Sequence, residues 1–299
     1  MTAAASAPTL DAIARPSGGL AMVAMDQRES LSTMFDQAGA GRPDRDAIVR
    51  FKLDVARALA PLASGFLIDR HYGFEDMRAG GLLPPGCGLI LAADALEQKE
   101  GGPVEETSLD RVVLDETDLG GVAALKLLVI WRRDAHREQR VALAERFVAA
   151  ARERGLLSVL EPVVRATPAE QRDGSWDLDA AIREAASELS PLGPSLYKAQ
   201  VPSAGVGSPE ELQHLSELLG ARIQGPWVVL SQGVDRDSFL AAVTAACRGG
   251  ASGFLAGRAL WSDVVGRPDV PAALAAVSVP RLERLVEVVD AEARPWRQA

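Results

Sequence analysis

Eight short apolar runs recur along the chain: Gly19–Asp26, Gly65–Asp69, Gly88–Ala93, Leu125–Trp131, Leu156–Val164, Leu196–Val201, Trp227–Ser231 and Gly253–Ala256. Several are continuous rather than alternating. That is the pattern of parallel strands covered on both faces, where neither side meets water. Between most of them lie segments with helical periodicity: Pro43–Leu62, His136–Arg154, Asp177–Leu189, Pro209–Leu219 and Arg236–Cys247. Ser208-Pro209-Glu210 and Asp235-Arg-Asp-Ser238 put capping residues and acids at helix starts. Gly155, Gly220 and Gly249-Gly250 are the matching stops. Eight strand–helix repeats without interruption predict an α/β fold, a (β/α)8 TIM barrel formed as a single domain over residues 11–292. An open doubly wound sheet is the alternative, weakened because no Gly-x-Gly-x-x-Gly follows the first run. Residues 1–10 read as a disordered lead-in and Ala293–Ala299 as a mobile tail. The stretch Lys99–Leu109, rich in glycine and glutamate, reads as a mobile surface loop after the third strand.

Composition changes the picture mainly by exclusion. The chain has 299 residues, 47% apolar and 24% charged, enough to bury a large core. Its formal net charge of −9, with no basic stripe, argues against a nucleic-acid partner. Cys87 and Cys247 are too few for a disulfide framework and suit a reducing cytoplasm. His71, His136 and His214 lack metal-ligand spacing, so no metal and no cofactor are expected. No apolar run reaches membrane-spanning length, and the first ten residues lack the charge-then-apolar order of a signal peptide.

Candidate chemistry begins with lysine. The chain has four lysines among 32 basic residues, and two of the four, Lys126 and Lys198, fall inside core-strand runs. Burying a lysine as a cation is unfavourable, which depresses its pKa, and a neutral amine can attack a carbonyl to form a Schiff base. Barrel enzymes place reactive groups at the carboxyl ends of strands. There the chain carries Asp26, Gln27 and Arg28 after strand one, Asp69 after strand two, and Asp94 after strand three. Lys126 lies in strand four, Glu161 in strand five and Lys198 in strand six. Alternation sends Lys126 and Lys198 inward, and alternate strands share a layer. Lys126 would then lower the pKa of Lys198 by like-charge repulsion, with Glu161 moving protons between them. The plainer alternative has each lysine reach the barrel mouth and pair with an acid. Pattern alone leaves open which lysine is the nucleophile.

Ser231-Gln-Gly-Val-Asp235 and Gly253-Phe-Leu-Ala-Gly-Arg258 follow strands seven and eight. Loops there bind phosphate through backbone amides and an arginine, and Gly233 and Gly257 allow close backbone approach. The alternative is that these glycines serve tight turns and Arg258 forms a surface ion pair. His71 and Tyr72 read as packing or capping the end of strand two, Trp131 and Trp261 as core or interface aromatics, and the cysteines as small buried apolar residues.

These segments resemble the class I aldolases of the tagatose-bisphosphate and sulfofructose-phosphate aldolase group. The resemblance is carried by Ala24-Met-Asp-Gln-Arg-Glu-Ser-Leu31, Asp69-Arg-His-Tyr-Gly73, Lys126-Leu-Leu, Leu160-Glu-Pro162, Tyr197-Lys-Ala-Gln-Val-Pro202, Ser231-Gln-Gly-Val-Asp235 and Gly253-Phe-Leu-Ala-Gly-Arg-Ala-Leu-Trp261. It implies that Lys198 is the Schiff-base lysine, Glu161 an acid/base group and Lys126 its electrostatic partner. It also implies that Ser231 and Arg258 lie at the anionic end of the substrate, that Asp26 and Gln27 line the mouth, and that the chain is a homo-oligomer. Lys126-Leu-Leu-Val-Ile-Trp-Arg132 and the Gly253–Arg258 segment look more like the sulfosugar branch. The expectation is cleavage of 6-deoxy-6-sulfofructose 1-phosphate to dihydroxyacetone phosphate and 3-sulfolactaldehyde. The rivals are tagatose or fructose 1,6-bisphosphate cleavage, a non-catalytic sugar-phosphate-binding barrel and, more distantly, a metal-dependent aldolase. A sulfonate carries one charge and a phosphate nearly two, so the number of cations facing C6 would separate them. Arg28, Arg132 and Arg258 are the arginines to count, Arg28 and Arg258 being taken as substrate-binding.

Overall fold

Continuous apolar runs must be covered on both faces, and the chain does this by closing on itself. The computed structural model describes residues 8–299. Its strands are β1 (Leu20–Met25), β2 (Gly65–Ile68), β3 (Gly88–Ala92), β4 (Asp94–Gln98), β5 (Val104–Leu109), β6 (Val122–Trp131), β7 (Leu157–Val164), β8 (Leu196–Ala199), β9 (Trp227–Val229) and β10 (Gly253–Ala256). Eight of them form a closed parallel barrel in the order β1-β10-β9-β8-β7-β6-β3-β2, and β4 with β5 makes a separate antiparallel hairpin. The eight barrel strands coincide with the eight predicted runs. The fold is therefore the expected (β/α)8 barrel in one domain.

Alternation divides each strand between two cores. Inward residues such as Met22, Ala24, Ile90, Ala92, Val159 and Leu196 fill the barrel. Outward residues such as Val23, Ile68, Leu127, Tyr197 and Phe254 pack against the surrounding helices. The predicted helix starts hold best where the cap is explicit. Ser208 caps Pro209–Gly220 in a reciprocal box with Glu211, and Asp44 accepts from the Ala47 amide ahead of Arg45–Leu59. The helix expected from Arg236 begins at Phe239, and its first residue is preceded by a serine that makes no side-chain cap.

Three expectations need correction. Lys99–Leu109 is not a plain loop: from Asp94 to Leu109 the chain forms the β4–β5 hairpin, with Leu96 opposite Thr107 and Glu97 opposite Glu106. Its charged residues misled because their partners lie elsewhere; the Glu106 carboxylate accepts from Arg140 Nε at 3.0 Å and Glu105 from Arg132 at 2.7 Å. Residues 1–7 lie outside the described residues, but Leu10 is not loose. It begins a single helical turn, Leu10–Ile13, in which Leu10 and Ile13 are buried beneath the inner core. The expected mobile tail is also tied down. The Arg294 amide donates to Ala251 O at 3.1 Å and the Trp296 amide to Gly18 O at 3.0 Å.

The readings of His71 and Tyr72, of Trp131 and Trp261, and of the cysteines hold. Asp69 Oδ1 accepts from the His71 and Tyr72 amides at 2.8 and 3.0 Å, capping the end of β2. Trp131 and Trp261 are fully buried, their indole N–H groups donating to Glu188 and to Ala24 O. Both cysteines are free and buried, and burial pushes each thiol up to about 12.

Candidate active site

The carboxyl ends of the barrel strands surround a cavity of about 300 Å³. Its floor is set by register. On β6, Lys126 pairs across with Val159 and Leu128 with Glu161, while on β8 Lys198 sits beside Val228 of β9. All three ionisable side chains point inward and are buried.

Glu161 joins the two lysines. Its Oε1 lies 2.8 Å from Lys198 Nζ and its Oε2 lies 2.8 Å from Lys126 Nζ. Strand order puts Glu161 between the lysines, and the geometry brings the three together in that arrangement. The electrostatics around Lys126 differ from the expected repulsion. Lys126 Nζ also donates to Asp26 Oδ2 at 2.7 Å and to Asp94 Oδ2 at 3.1 Å, so three carboxylates surround it. Burial works against its ammonium form, but Asp26, Asp94 and Glu161 outweigh it and raise its pKa well above the ordinary 10.5. Burial likewise works against ionised Asp26, yet Lys126 and Lys198 hold its carboxyl well below the usual carboxylate range. Lys126 is thus a fixed cation whose charge is met at close range rather than left to repel its neighbour. Lys198 makes one ion pair, to Glu161, among the described residues. An ammonium held by three carboxylates does not readily give up its proton. This contrast separates two lysines that pattern alone leaves equivalent.

The other predicted residues divide into cavity wall and support. Gln27 lines the cavity, and its Oε1 is buried with no hydrogen-bond partner among the described residues. Arg28 also reaches the wall, but both terminal nitrogens are engaged, Nη1 with Asp94 O at 2.9 Å and Nη2 with Asp94 Oδ1 at 2.8 Å. It steadies the carboxylate that holds Lys126. Ser231 and Arg258 line the cavity as well, from beyond β9 and β10. Arg258 makes no ion pair among the described residues, against the surface-pair alternative. Burial pushes its guanidinium down, while Glu161 and Asp26 pull it the other way. Gly257 faces the cavity too, but what requires glycine there is β1: an added Cβ would lie 2.6 Å from Ala24 O. Gly233 adopts φ +85 with open space around it and is not part of the cavity wall, as the tight-turn alternative has it.

Sequence reasoning missed two residues. Lys52, on the helix Arg45–Leu59, is fully buried; its Nζ donates to Met25 O at 2.8 Å and pairs with Asp69. The signal existed, since Ile48, Val49, Val55 and Ala56 put its position on that helix's apolar face. Arg165, just beyond β7, lines the cavity mouth without an ion pair among the described residues. Nothing in Val163-Val-Arg-Ala166 marks it as functional. Arg132, by contrast, is paired with Glu105.

Known proteins resemble this chain along its whole barrel. The DeoC/LacD family of aldolases matches residues 20–263, from the first barrel strand to beyond the last. Tagatose 1,6-diphosphate aldolases of Listeria monocytogenes serotype 4a and Listeria innocua are each 26% identical over 278 residues, covering 85% of this chain and 80% of theirs. Among solved structures, the fructose-bisphosphate aldolase of Plasmodium falciparum has a TM-score of 0.69 at 13% identity, covering 98% of this chain and 99% of that one. An archaeal fructose-1,6-bisphosphate aldolase, with its catalytic lysine bound to a carbinolamine intermediate, has a TM-score of 0.55 at 16% identity, covering 94% of this chain and 98% of its own. At those identities the structural likeness is one of fold. Since the family match takes in every barrel strand together with the buried lysines, the chain belongs to the DeoC/LacD family of aldolases and is a class I aldolase.

Proposed function

We propose that Lys198 is the Schiff-base lysine and that the substrate is 6-deoxy-6-sulfofructose 1-phosphate, cleaved to dihydroxyacetone phosphate and 3-sulfolactaldehyde. The observation that carries the assignment is the unequal treatment of two buried lysines by one glutamate: Glu161 is 2.8 Å from each, but only Lys126 has two further carboxylates.

The chemistry follows from those positions. Lys198 gives a proton to Glu161, and the neutral amine adds to the C2 carbonyl, forming a carbinolamine. Glu161 returns the proton to the carbinolamine hydroxyl, which leaves as water, and the iminium remains. Glu161, a carboxylate again once water has left, accepts the C4 hydroxyl proton as the C3–C4 bond breaks. Its electron pair moves to the iminium, leaving an enamine on Lys198 and releasing the aldehyde. Protonation at C3 and hydrolysis return the amine and dihydroxyacetone phosphate. Through these steps Lys126 stays charged and fixes Glu161 in place. Arg258 and the β9 and β10 loops suit the C1 phosphate, with one guanidinium and adjacent backbone.

Two segments support the sulfosugar reading by resemblance, Lys126–Arg132 and Gly253–Arg258. The 26% identity to tagatose 1,6-diphosphate aldolases favours a second reading, cleavage of a ketohexose bisphosphate. Free, buried thiols fit a cytoplasmic place of action, and a homo-oligomer remains the expected assembly. Borohydride reduction with dihydroxyacetone phosphate, followed by peptide mapping, tests the nucleophile. The adduct is expected on Lys198, and its appearance on Lys126 overturns the assignment. Relative kcat/KM for the sulfosugar and the two bisphosphates then decides between the substrate readings.

A further inference from the structure

A second cationic position stands across the mouth from Arg258. Arg165 follows β7, and its amide donates to Trp131 O at 2.9 Å, so β7–β6 pairing continues to this residue. By alternation Arg165 is on the same face as Glu161, four residues and roughly 13 Å further toward the mouth. Going round the barrel, Arg258 lies just past β10 and Arg165 just past β7, with Lys198 on β8 between them. Arg165 therefore borders the catalytic cavity on the side away from Arg258.

Arg165 and Pro103 also line a neighbouring pocket of about 510 Å³, whose wall takes in Arg132, Glu105 and Trp176. Two arginines and one acid meet there. Arg132 Nη2 is 2.7 Å from Glu105 Oε2, whereas Arg132 Nε is buried and finds no acceptor among the described residues. Arg165 makes no ion pair among the described residues. Burial, with Arg132 beside it, pushes the Arg165 guanidinium down, and Glu105 only partly opposes this. Two like charges turned toward one pocket, one neutralised and one not, leave a net single positive charge awaiting an anion.

We propose that Arg165, with Arg132 and Glu105 behind it, is the site that receives the anionic group at the aldehyde end of the substrate, and that Glu105 sets its preference for a singly charged group. The proposal rests on the aldolase reading given above, in which Arg258 takes the C1 phosphate. Without Glu105 the pocket would present two uncompensated guanidiniums, suited to a phosphate of charge near two. With Glu105 it presents one, suited to a sulfonate. Arg165 supplies binding, and Glu105 is a specificity-determining residue that acts through Arg132.

Steady-state kinetics on three substrates tests this: the sulfosugar phosphate, fructose 1,6-bisphosphate, and fructose 1-phosphate with its uncharged C6 hydroxyl. Arg165→Met should lower kcat/KM roughly 10- to 100-fold for both substrates charged at C6, as for a lost charge-assisted hydrogen bond, and leave fructose 1-phosphate unchanged. Glu105→Gln should raise the bisphosphate-to-sulfosugar ratio of kcat/KM by roughly 2- to 5-fold, the range of a partly exposed ion pair. Glu105 is half-exposed, so its replacement is compatible with folding. If Arg165→Met weakens fructose 1-phosphate equally, or Glu105→Gln leaves the ratio unmoved, the proposal fails. Borohydride trapping of dihydroxyacetone phosphate on each variant keeps the two readings apart. Intact trapping with an unmoved ratio rejects the distal site alone, while absent trapping in the unsubstituted protein rejects the Schiff-base reading itself.

Discussion

At the scale of single residues, the informative contrast is between Glu161 and Lys126, which touch each other but do different things. Glu161→Gln keeps size while removing proton transfer, so turnover should fall by roughly 10²–10⁴-fold, with a smaller change in dihydroxyacetone phosphate binding. Lys126→Met acts on stability first. It leaves Asp26, Asp94 and Glu161 buried together without their shared cation, and removing one partner of a buried ion pair costs about 3–5 kcal/mol. The pH dependence has a definite sign. Asp26 is depressed in the folded protein, so its contribution is present above its unfolded value near 3.8 and is lost as pH falls through the lower folded value. Lys126 is raised, so its contribution is full below 10.5 and is lost as pH rises past that toward the folded value. Between those limits the two support each other. In Lys126→Met the depression of Asp26 largely disappears, and acid unfolding followed by circular dichroism should begin at higher pH than in the unsubstituted protein. An unchanged acid limb would mean that Asp26 draws its low pKa from elsewhere.

The β4–β5 hairpin is the element whose behaviour is least like the rest of the barrel. Its tip reaches over the mouth, where the Gly101 amide donates to Glu29 Oε1 at 3.0 Å; Arg42 joins Glu29 at 2.6 Å and Glu100 at 3.0 Å. Gly101, Gly102 and Pro103 form part of the cavity wall. Exposed ion pairs contribute only about 0.2–1 kcal/mol each, so this tether can be released without unfolding the barrel. Glu29→Gln should raise KM for the ketohexose substrate several-fold while changing the unfolding midpoint little. Faster amide exchange should appear at Gly101 and its neighbours and not in the barrel strands. Uniformly faster exchange would show a global destabilisation instead. The hairpin was also the element least legible beforehand. Glycine, proline and glutamate dominate Glu100–Glu106, and the strands they belong to are recognisable only once Arg132 and Arg140 come alongside to pair the acids.

Across the whole molecule, alternating charges run from the outer helices to the reacting amine: Lys52 with Asp69, Asp69 with Arg28, Arg28 with Asp94, Asp94 with Lys126, Lys126 with Glu161, and Glu161 with Lys198. Every barrel strand from β1 to β8 in the direction away from β10 contributes to it or is bridged by it. Site geometry and barrel closure are thus coupled. The opposite end is closed by the Leu10–Ile13 turn and the C-terminal stretch. Leu10 and Ile13 plug the inner core, Trp296 packs partly against it, and Arg297 contacts Asp11. Ending the chain at Ala293 would expose that floor and should lower stability by about 1–3 kcal/mol through lost apolar burial. Because the tail lies at the far end of the barrel, adduct formation at Lys198 should be unaffected at temperatures below the transition. A variant that is equally stable would show that the tail contacts add nothing to folding.

The sequence by itself determined the barrel, because eight apolar runs at helical intervals leave few ways to bury both faces of every strand. It also determined which strands carry Lys126, Glu161 and Lys198, since strand alternation and order follow from local pattern alone. It could not tell the two lysines apart. Their surroundings are made by Asp26 and Asp94, which lie 100 and 32 positions away from Lys126 and meet it only when β3 pairs with β6 and barrel closure brings the end of β1 across the interior. For the same reason the sequence marks Arg28 as a candidate substrate contact without showing that its terminal nitrogens also hold Asp94, and nothing local marks Arg165, a cation at the mouth with no ion pair among the described residues. A charge has no fixed role in a sequence, because its role depends on what charge stands within a few ångströms of it. That neighbour is chosen by the tertiary fold.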